Sequence, residues 1–197
     1  SEQSLIKLRR IITIGGLFMD IETKKWEVLY SEEKIKDKLR ELGAIIEKDY
    51  KDKNLMVVSL LKGSFIFCAD LVRNINLPLR VNFMTTSSYG NNEESTGRVK
   101  VVSDVTTDIA GYDVLVVDDI TDSALTMDFV LKHLKAKNPA SLKCCVLLDK
   151  PSRRKVDLVP DYCGFEIEDK FVVGYGFDFG DYYRNVPYIF NVTDEDR

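Results

Sequence analysis

Apolar residues change their spacing along this chain in a regular way. Ile35, Leu39, Leu42 and Ile46 recur at helical spacing, and Ser31 ahead of them can cap a helix whose first turn carries Glu32 and Glu33. Leu55–Leu61 (LMVVSLL) is a run of the kind a sheet buries on both faces, and Lys62-Gly63 breaks it. Ser64 is placed to cap a second helix with Cys68, Leu71, Val72 and Ile75 on one face. Leu79, Val81 and Phe83 alternate as in a strand. Asn91–Gly97 is a polar loop, and Val99–Val102 a short strand. Val114–Val117 is wholly apolar, and a helix face of Met127, Val130, Leu131 and Leu134 follows, ended by Pro139. Cys144–Leu148, Phe171–Val173 and Tyr188–Val192 complete the strands.

Strands alternating with helices predict an α/β fold with a mostly parallel central sheet flanked by helices. Sites in such sheets lie beyond the carboxyl ends of the strands. Lys62, Asp118–Thr126, Asp149-Lys150 and Asp178 all follow apolar runs directly. No repeat or linker divides residues 19–197, which read as one domain. Residues 1–18 are basic and then apolar, without a small-residue cleavage site, and read as an extension with Met19 as the native start.

Composition narrows the chemistry. Hydrophobic residues make up 45% of the 197, which suits one packed domain. A net charge of −4 argues against a nucleic-acid coat. No apolar run approaches the roughly 18 residues of a membrane span. The four cysteines form no CxxC pair and read as reduced core residues of a cytoplasmic protein. His133, the sole histidine, has no Cys or acid at ligand spacing, which disfavours a histidine metal site or a Ser-His-Asp triad.

The stretch Val114–Met127 (VLVVDDITDSALTM) runs from a buried strand into carboxylates and then hydroxyls. A strand-to-helix turn at Asp122–Thr126 would present unpaired backbone N–H groups at the positive end of a helix dipole. Ser123 and Thr126 add hydroxyls. Such a turn suits a phosphate monoester, and the paired acids Asp118 and Asp119 suit sugar hydroxyls. A ribose 5-phosphate has both parts side by side. The plainer alternative is that the acids only end a strand and cap a helix. A receiver-domain reading of VLVVDD fails on length, since more than 110 residues precede the run.

VLVVDDITDSALTM resembles the phosphoribosyl-diphosphate (PRPP) binding motif of the type I phosphoribosyltransferases. Four further segments resemble the hypoxanthine-guanine branch: LLKGSF at Leu60–Phe65, SSYGNNEESTG at Ser87–Gly97, LLDKPSRR at Leu147–Arg154, and the tail from Pro160 to Arg184. The likeness spans roughly residues 27–193. It implies the type I fold with a small hood and a mobile lid carrying Ser88 and Tyr89. It implies transfer of phosphoribose from PRPP to a 6-oxopurine with Mg²⁺, in a homodimer or homotetramer.

The roles that the resemblance implies are specific. Asp118 and Asp119 would hold the ribose 2′- and 3′-hydroxyls, directly or through the metal. Asp122 would face purine N7 as general base or acid. Ser123, Ala124, Leu125 and Thr126 would cradle the 5′-phosphate. Lys62 and Gly63, joined to Leu61 by a cis peptide, would meet pyrophosphate together with Arg184. Asp178 would contact Mg²⁺ and border the purine. Phe171 would stack on the base, and the Val172 backbone would meet its edge. Lys150 carries only donors, so it suits a 6-oxo group and not a 6-amino group. By pattern alone, Lys150 is a surface lysine and Phe171–Val173 a core strand. Three departures stand out: Asp118 where Glu is frequent, Ala124-Leu125 where Gly and a polar residue are frequent, and Gly176-Phe177 before Asp178. They leave open the ranking of hypoxanthine, guanine and xanthine. A non-catalytic binder of PRPP or nucleotide is the alternative class, and the joint presence of Asp122, Lys62 and Arg184 favours catalysis.

Overall fold

The computed structural model describes the backbone of 12–14 and 17–19, and residues 26–88 and 99–192. Tyr89 and the polar loop 91–97, the expected lid, lie outside them, as do most of residues 1–18. Ile12–Ile14 (β1) and Leu17–Met19 (β2) pair antiparallel within the basic-apolar segment.

Helix α1 spans Glu32–Asp49, with the Ser31 side chain accepting a bond from the Lys34 N–H at 3.2 Å. Ile35, Leu39, Leu42 and Ile46 are buried, as their spacing predicts. Strand β4 is Leu55–Leu61 and helix α2 is Phe65–Arg73. Ser64 precedes α2 but does not cap it through its side chain. Its hydroxyl donates to the Leu60 carbonyl and meets the Ser59 hydroxyl at 2.8 Å. Both hydroxyls are fully buried, so they satisfy each other and the strand end instead of the helix.

Strands β5 (Arg80–Ser88) and β6 (Val99–Ser103) form one edge. Strand β7 (Asp113–Thr121), helix α3 (Leu125–Lys135), β8 (Ser141–Asp149) and β9 (Tyr162–Glu166) form the other side. The sheet order is β6-β5-β4-β7-β8-β9, with β6 antiparallel and the rest parallel. The chain leaves β4 for β5 in one direction and β7 for β8 in the other. The strand order therefore reverses between β4 and β7, and a crevice opens at their carboxyl ends.

Val114–Val117 have no solvent exposure. Leu115 and Val117 join the core against α1 and α2, and Val114 and Val116 the core against α3. Burying each such side chain is worth about 1.5–3 kcal/mol. The alternation in β5 has the opposite sense to its hydrophobicity: Asn82 and Met84 are buried, while Val81 and Phe83 face outward. The Asn82 side-chain oxygen accepts the Phe83 N–H at 2.9 Å.

A second, antiparallel sheet of β10 (Val172–Val173), β11 (Ile189–Asn191) and β3 (Glu27–Tyr30) makes the hood. Aromatic packing holds it: Trp26 stacks on Phe190 at 4.7 Å, and Tyr183 meets Trp26 edge-on at 5.5 Å.

Candidate active site

Asp118 and Asp119 lie in the carboxyl-terminal half of β7, toward the switch-point crevice. Burial first, and the adjacent Asp119 carboxylate second, push Asp118 well above the ordinary carboxylate range. Burial also raises Asp119, against the lowering pull of Asp118 and Arg184. Two half-buried acids in this state are short of positive charge. The pair therefore suits Mg²⁺, though no group of three His, Cys, Asp or Glu side chains converges into a metal cage among the described residues. Two carboxylates with substrate oxygens completing the shell match the way Mg²⁺ is usually held.

Asp122–Ala124 form the turn between β7 and α3, and Leu125 and Thr126 begin the helix. Ala124 occupies the N-cap position with φ +62°, a left-handed conformation, and is buried. That backbone explains why glycine is suited to this position. The Ser123 hydroxyl accepts the Leu125 N–H at 3.4 Å. The other first-turn N–H groups have no partner within the helix.

Across the crevice, the peptide Leu61–Lys62 is cis, as the resemblance implies. Gly63 packs directly on Asp119, and a Cβ there would overlap the carboxylate. Gly176 has φ +103°, and a Cβ there would overlap the Gly63 carbonyl. The two glycines thus let the hood loop, the β4 loop and the acid pair close on one another. Arg184 donates to the Gly176 carbonyl at 2.7 Å and pairs with Asp178 at 2.6 Å. Asp181, which sequence reasoning missed, lies 3.4 Å from Arg184 and 3.5 Å from Lys62. Lys62 first, then Arg184, hold its carboxyl below the usual range. Lys62, Gly63, Asp119, Asp178 and Arg184 are therefore one neighbourhood.

The residues expected to meet the purine gather on the other flank. Thr121 pairs with Asp149 in the β7–β8 register, so Asp122 and Lys150 are the next residues beyond two adjacent strand tips. Lys150 is only 7% exposed, not the surface lysine of its local pattern. Its ammonium lies 3.4 Å from Asp169. Arg154 clamps Asp149 with contacts of 2.6 and 2.7 Å, bracing the β8 tip. Phe171 meets Phe179 edge-on at 6.0 Å, and Val172 is buried in β10. Arg153, also missed from sequence, reaches both Asp122 and Asp169. His133 lies elsewhere, beside Asp104 and Lys137, with no part in this site.

A strand-to-helix turn, an acid pair and a buried lysine around one switch point fit a phosphoribosyltransferase. Residues 25–180 match the family model for the phosphoribosyl transferase domain, and the chain belongs to that family. Within it the chain falls in the hypoxanthine-guanine branch. It is 49% identical over 176 residues to the hypoxanthine-guanine phosphoribosyltransferase of Aquifex aeolicus, covering 89% of this chain and 99% of that one. The Haemophilus influenzae hypoxanthine phosphoribosyltransferase is 49% identical over 173 residues, covering 86% and 97%. The crystal structure of a Staphylococcus aureus hypoxanthine phosphoribosyltransferase superposes with a TM-score of 0.83 at 43% identity, covering 86% and 92%.

Proposed function

We propose that this protein is a purine-salvage enzyme. It transfers the 5-phosphoribosyl group of PRPP to N9 of hypoxanthine or guanine, giving IMP or GMP and pyrophosphate. The observation that carries the reading is the placing of the Asp122 turn beside Lys150 through the Thr121–Asp149 register. The turn beyond one strand tip and the lysine beyond its neighbour can each take one end of a ligand with a phosphate at one end and a carbonyl at the other.

The turn Ser123–Thr126 takes the 5′-phosphate on backbone N–H groups and hydroxyls. Asp118 and Asp119 accept from the ribose hydroxyls. Lys150 donates to the purine 6-oxo group, Phe171 supplies a stacking surface, and the Val172 backbone meets the base edge. As the bond from C1′ to pyrophosphate oxygen breaks, the sugar gains oxocarbenium character. N9 attacks C1′, and Asp122 accepts the N7 proton. Pyrophosphate leaves with the bonding electron pair, and Lys62, the Gly63 backbone and Arg184 bind it. Asp118, Asp119 and Asp178 are the groups that would hold Mg²⁺, which shields the pyrophosphate charge when bound. The segment after Ser88, with Tyr89, serves as the lid that keeps water from the sugar cation.

Three wider readings accompany this one. Four free cysteines support a reduced, cytoplasmic setting. No helix among the described residues is long and apolar enough to cross a membrane. Val81, Phe83 and Val102 are exposed on adjacent strands, which supports a homodimer or homotetramer.

Radiolabelled hypoxanthine, guanine, xanthine and adenine, each assayed with PRPP and Mg²⁺, test the reading. Turnover of hypoxanthine and guanine with adenine inert is expected. A preference for adenine would refute the role of Lys150. No turnover of any base would leave a binding protein.

A further inference from the structure

Asp122 does not stand alone at the β7 tip. Arg153 Nε lies 2.7 Å from Asp122 Oδ1, and Arg153 Nη1 lies 3.0 Å from Asp169 Oδ2. Asp169 Oδ1 in turn lies 3.4 Å from the Lys150 ammonium. The four charges form one neutral chain, Asp122–Arg153–Asp169–Lys150, around the purine side of the crevice.

The two carboxylate oxygens of Asp122 differ. Oδ1 is shut off from solvent, and no donor hydrogen points squarely at it. The Asp122 side chain as a whole is nevertheless 38% exposed. Of the two carboxylate oxygens, only Oδ2 is therefore free to be reached from the crevice. A single 3-10 turn, Pro151–Arg153, fixes the geometry: the Arg153 N–H bonds to the Lys150 carbonyl at 3.1 Å. The same turn that ends β8 therefore sets both Lys150 and the base of the Arg153 side chain.

We propose that Arg153 is a positioning residue for proton transfer: its guanidinium occupies Oδ1 of Asp122 and ties it to Asp169, leaving Oδ2 to face purine N7. The inference rests on Asp122 being the proton acceptor. An unanchored carboxylate can rotate about its χ2 and present either oxygen at a range of angles. A small misplacement of a reacting group can cost about a hundredfold in rate. The N7 proton passes to Oδ2, while the guanidinium remains protonated on the opposite oxygen and exchanges no proton.

The test uses R153Q, R153K, D122N and the double variant D122N/R153Q in the full chain. Hypoxanthine kcat and KM are measured at saturating Mg·PRPP, PRPP affinity by calorimetry, and folding by thermal melting. R153Q should lower kcat by about 10- to 100-fold. PRPP Kd should stay within about twofold of the parent. R153K should recover part of the loss, because a cation returns to Oδ1. The double variant should be no slower than D122N by more than about twofold, since both changes act on one group. Two results would overturn the proposal: unchanged kcat in R153Q with D122N impaired, or losses that multiply in the double variant. Normal turnover by D122N is a different failure, and it removes the base assignment itself. Should R153Q melt early, R153K against D122N/R153K gives the same comparison.

Discussion

The phosphate turn after β7 and the charged rims on either side of it are built on different physics. In the turn, backbone geometry makes the site: Ala124 in a left-handed conformation aims the helix start into the crevice. Nothing there needs an opposite charge. On the rims, charged side chains satisfy one another. Arg184 is held by Asp178 and Asp181, Arg153 by Asp122 and Asp169, and Lys150 by Asp169. Under the proposed function, a phosphate would meet a preformed cradle at the turn, whereas purine and pyrophosphate would exchange partners with existing ion pairs. Affinity at the rims is then a difference between two sets of charge contacts, and substitutions there should act on turnover and base binding more than on the phosphate.

The largest effect should come from Asp122→Asn. It should lower kcat by about 10²–10⁴-fold, with PRPP affinity nearly unchanged by calorimetry. Next is Lys150→Ala, which removes the donor to the 6-oxo group. Loss of a charged hydrogen bond of roughly 1.5–3 kcal/mol predicts a purine KM about 10- to 100-fold higher. An unchanged KM would place the carbonyl elsewhere. Neither changes the phosphate-binding segment Ser123–Thr126, so a parallel loss of phosphate affinity in either would erase the contrast between the two regions.

Smaller effects sharpen it. The folded-state pKa of Asp118 lies above its ordinary value of 3.8. The native state then binds this proton more tightly than the unfolded chain does. That contribution to stability is complete below the ordinary value and is lost as pH rises through the raised one. Asp118→Asn should flatten this fall. At neutral pH without Mg²⁺ it should raise Tm by about 2–4 °C, the shift for roughly 1 kcal/mol in a domain of this size. An unchanged Tm across the pH series would contradict the acid-pair account. Ala124→Gly should do least. Relief of the left-handed alanine outweighs the entropy of glycine by about 0.5 kcal/mol, or roughly 1–2 °C in a melting scan. A fall in Tm would show that the turn is not strained at Ala124.

The parts legible from sequence are those set by local rules. The α1 face and the β4 run follow from spacing alone, and the Asp122–Thr126 turn follows from a strand running into a helix. Alternation in β5 revealed a strand but not which face is buried, because parity alone does not say where the core lies. Met84 faces the core, and Asn82 is buried with its oxygen on a backbone N–H, while Val81 and Phe83 are exposed. Strands β3 and β9 are short and half-buried, with too few residues for periodicity to stand out. Ser64 had the composition of a cap, but its hydroxyl donates to the Leu60 carbonyl and meets the buried Ser59 hydroxyl of β4, five residues back, instead. Arg153, Asp169 and Asp181 carry no local signature, since each acquires meaning only from partners that the fold brings near. Lys150 was singled out by resemblance; its burial is a tertiary fact.

A crystal structure of the protein with IMP and Mg²⁺ is the most direct test of the central claim. The 5′-phosphate should hydrogen-bond to backbone N–H groups within Ser123–Thr126, with the 6-oxo group on the Lys150 ammonium and N7 facing Asp122. A nucleotide bound away from that turn, or with its carbonyl turned from Lys150, would contradict it.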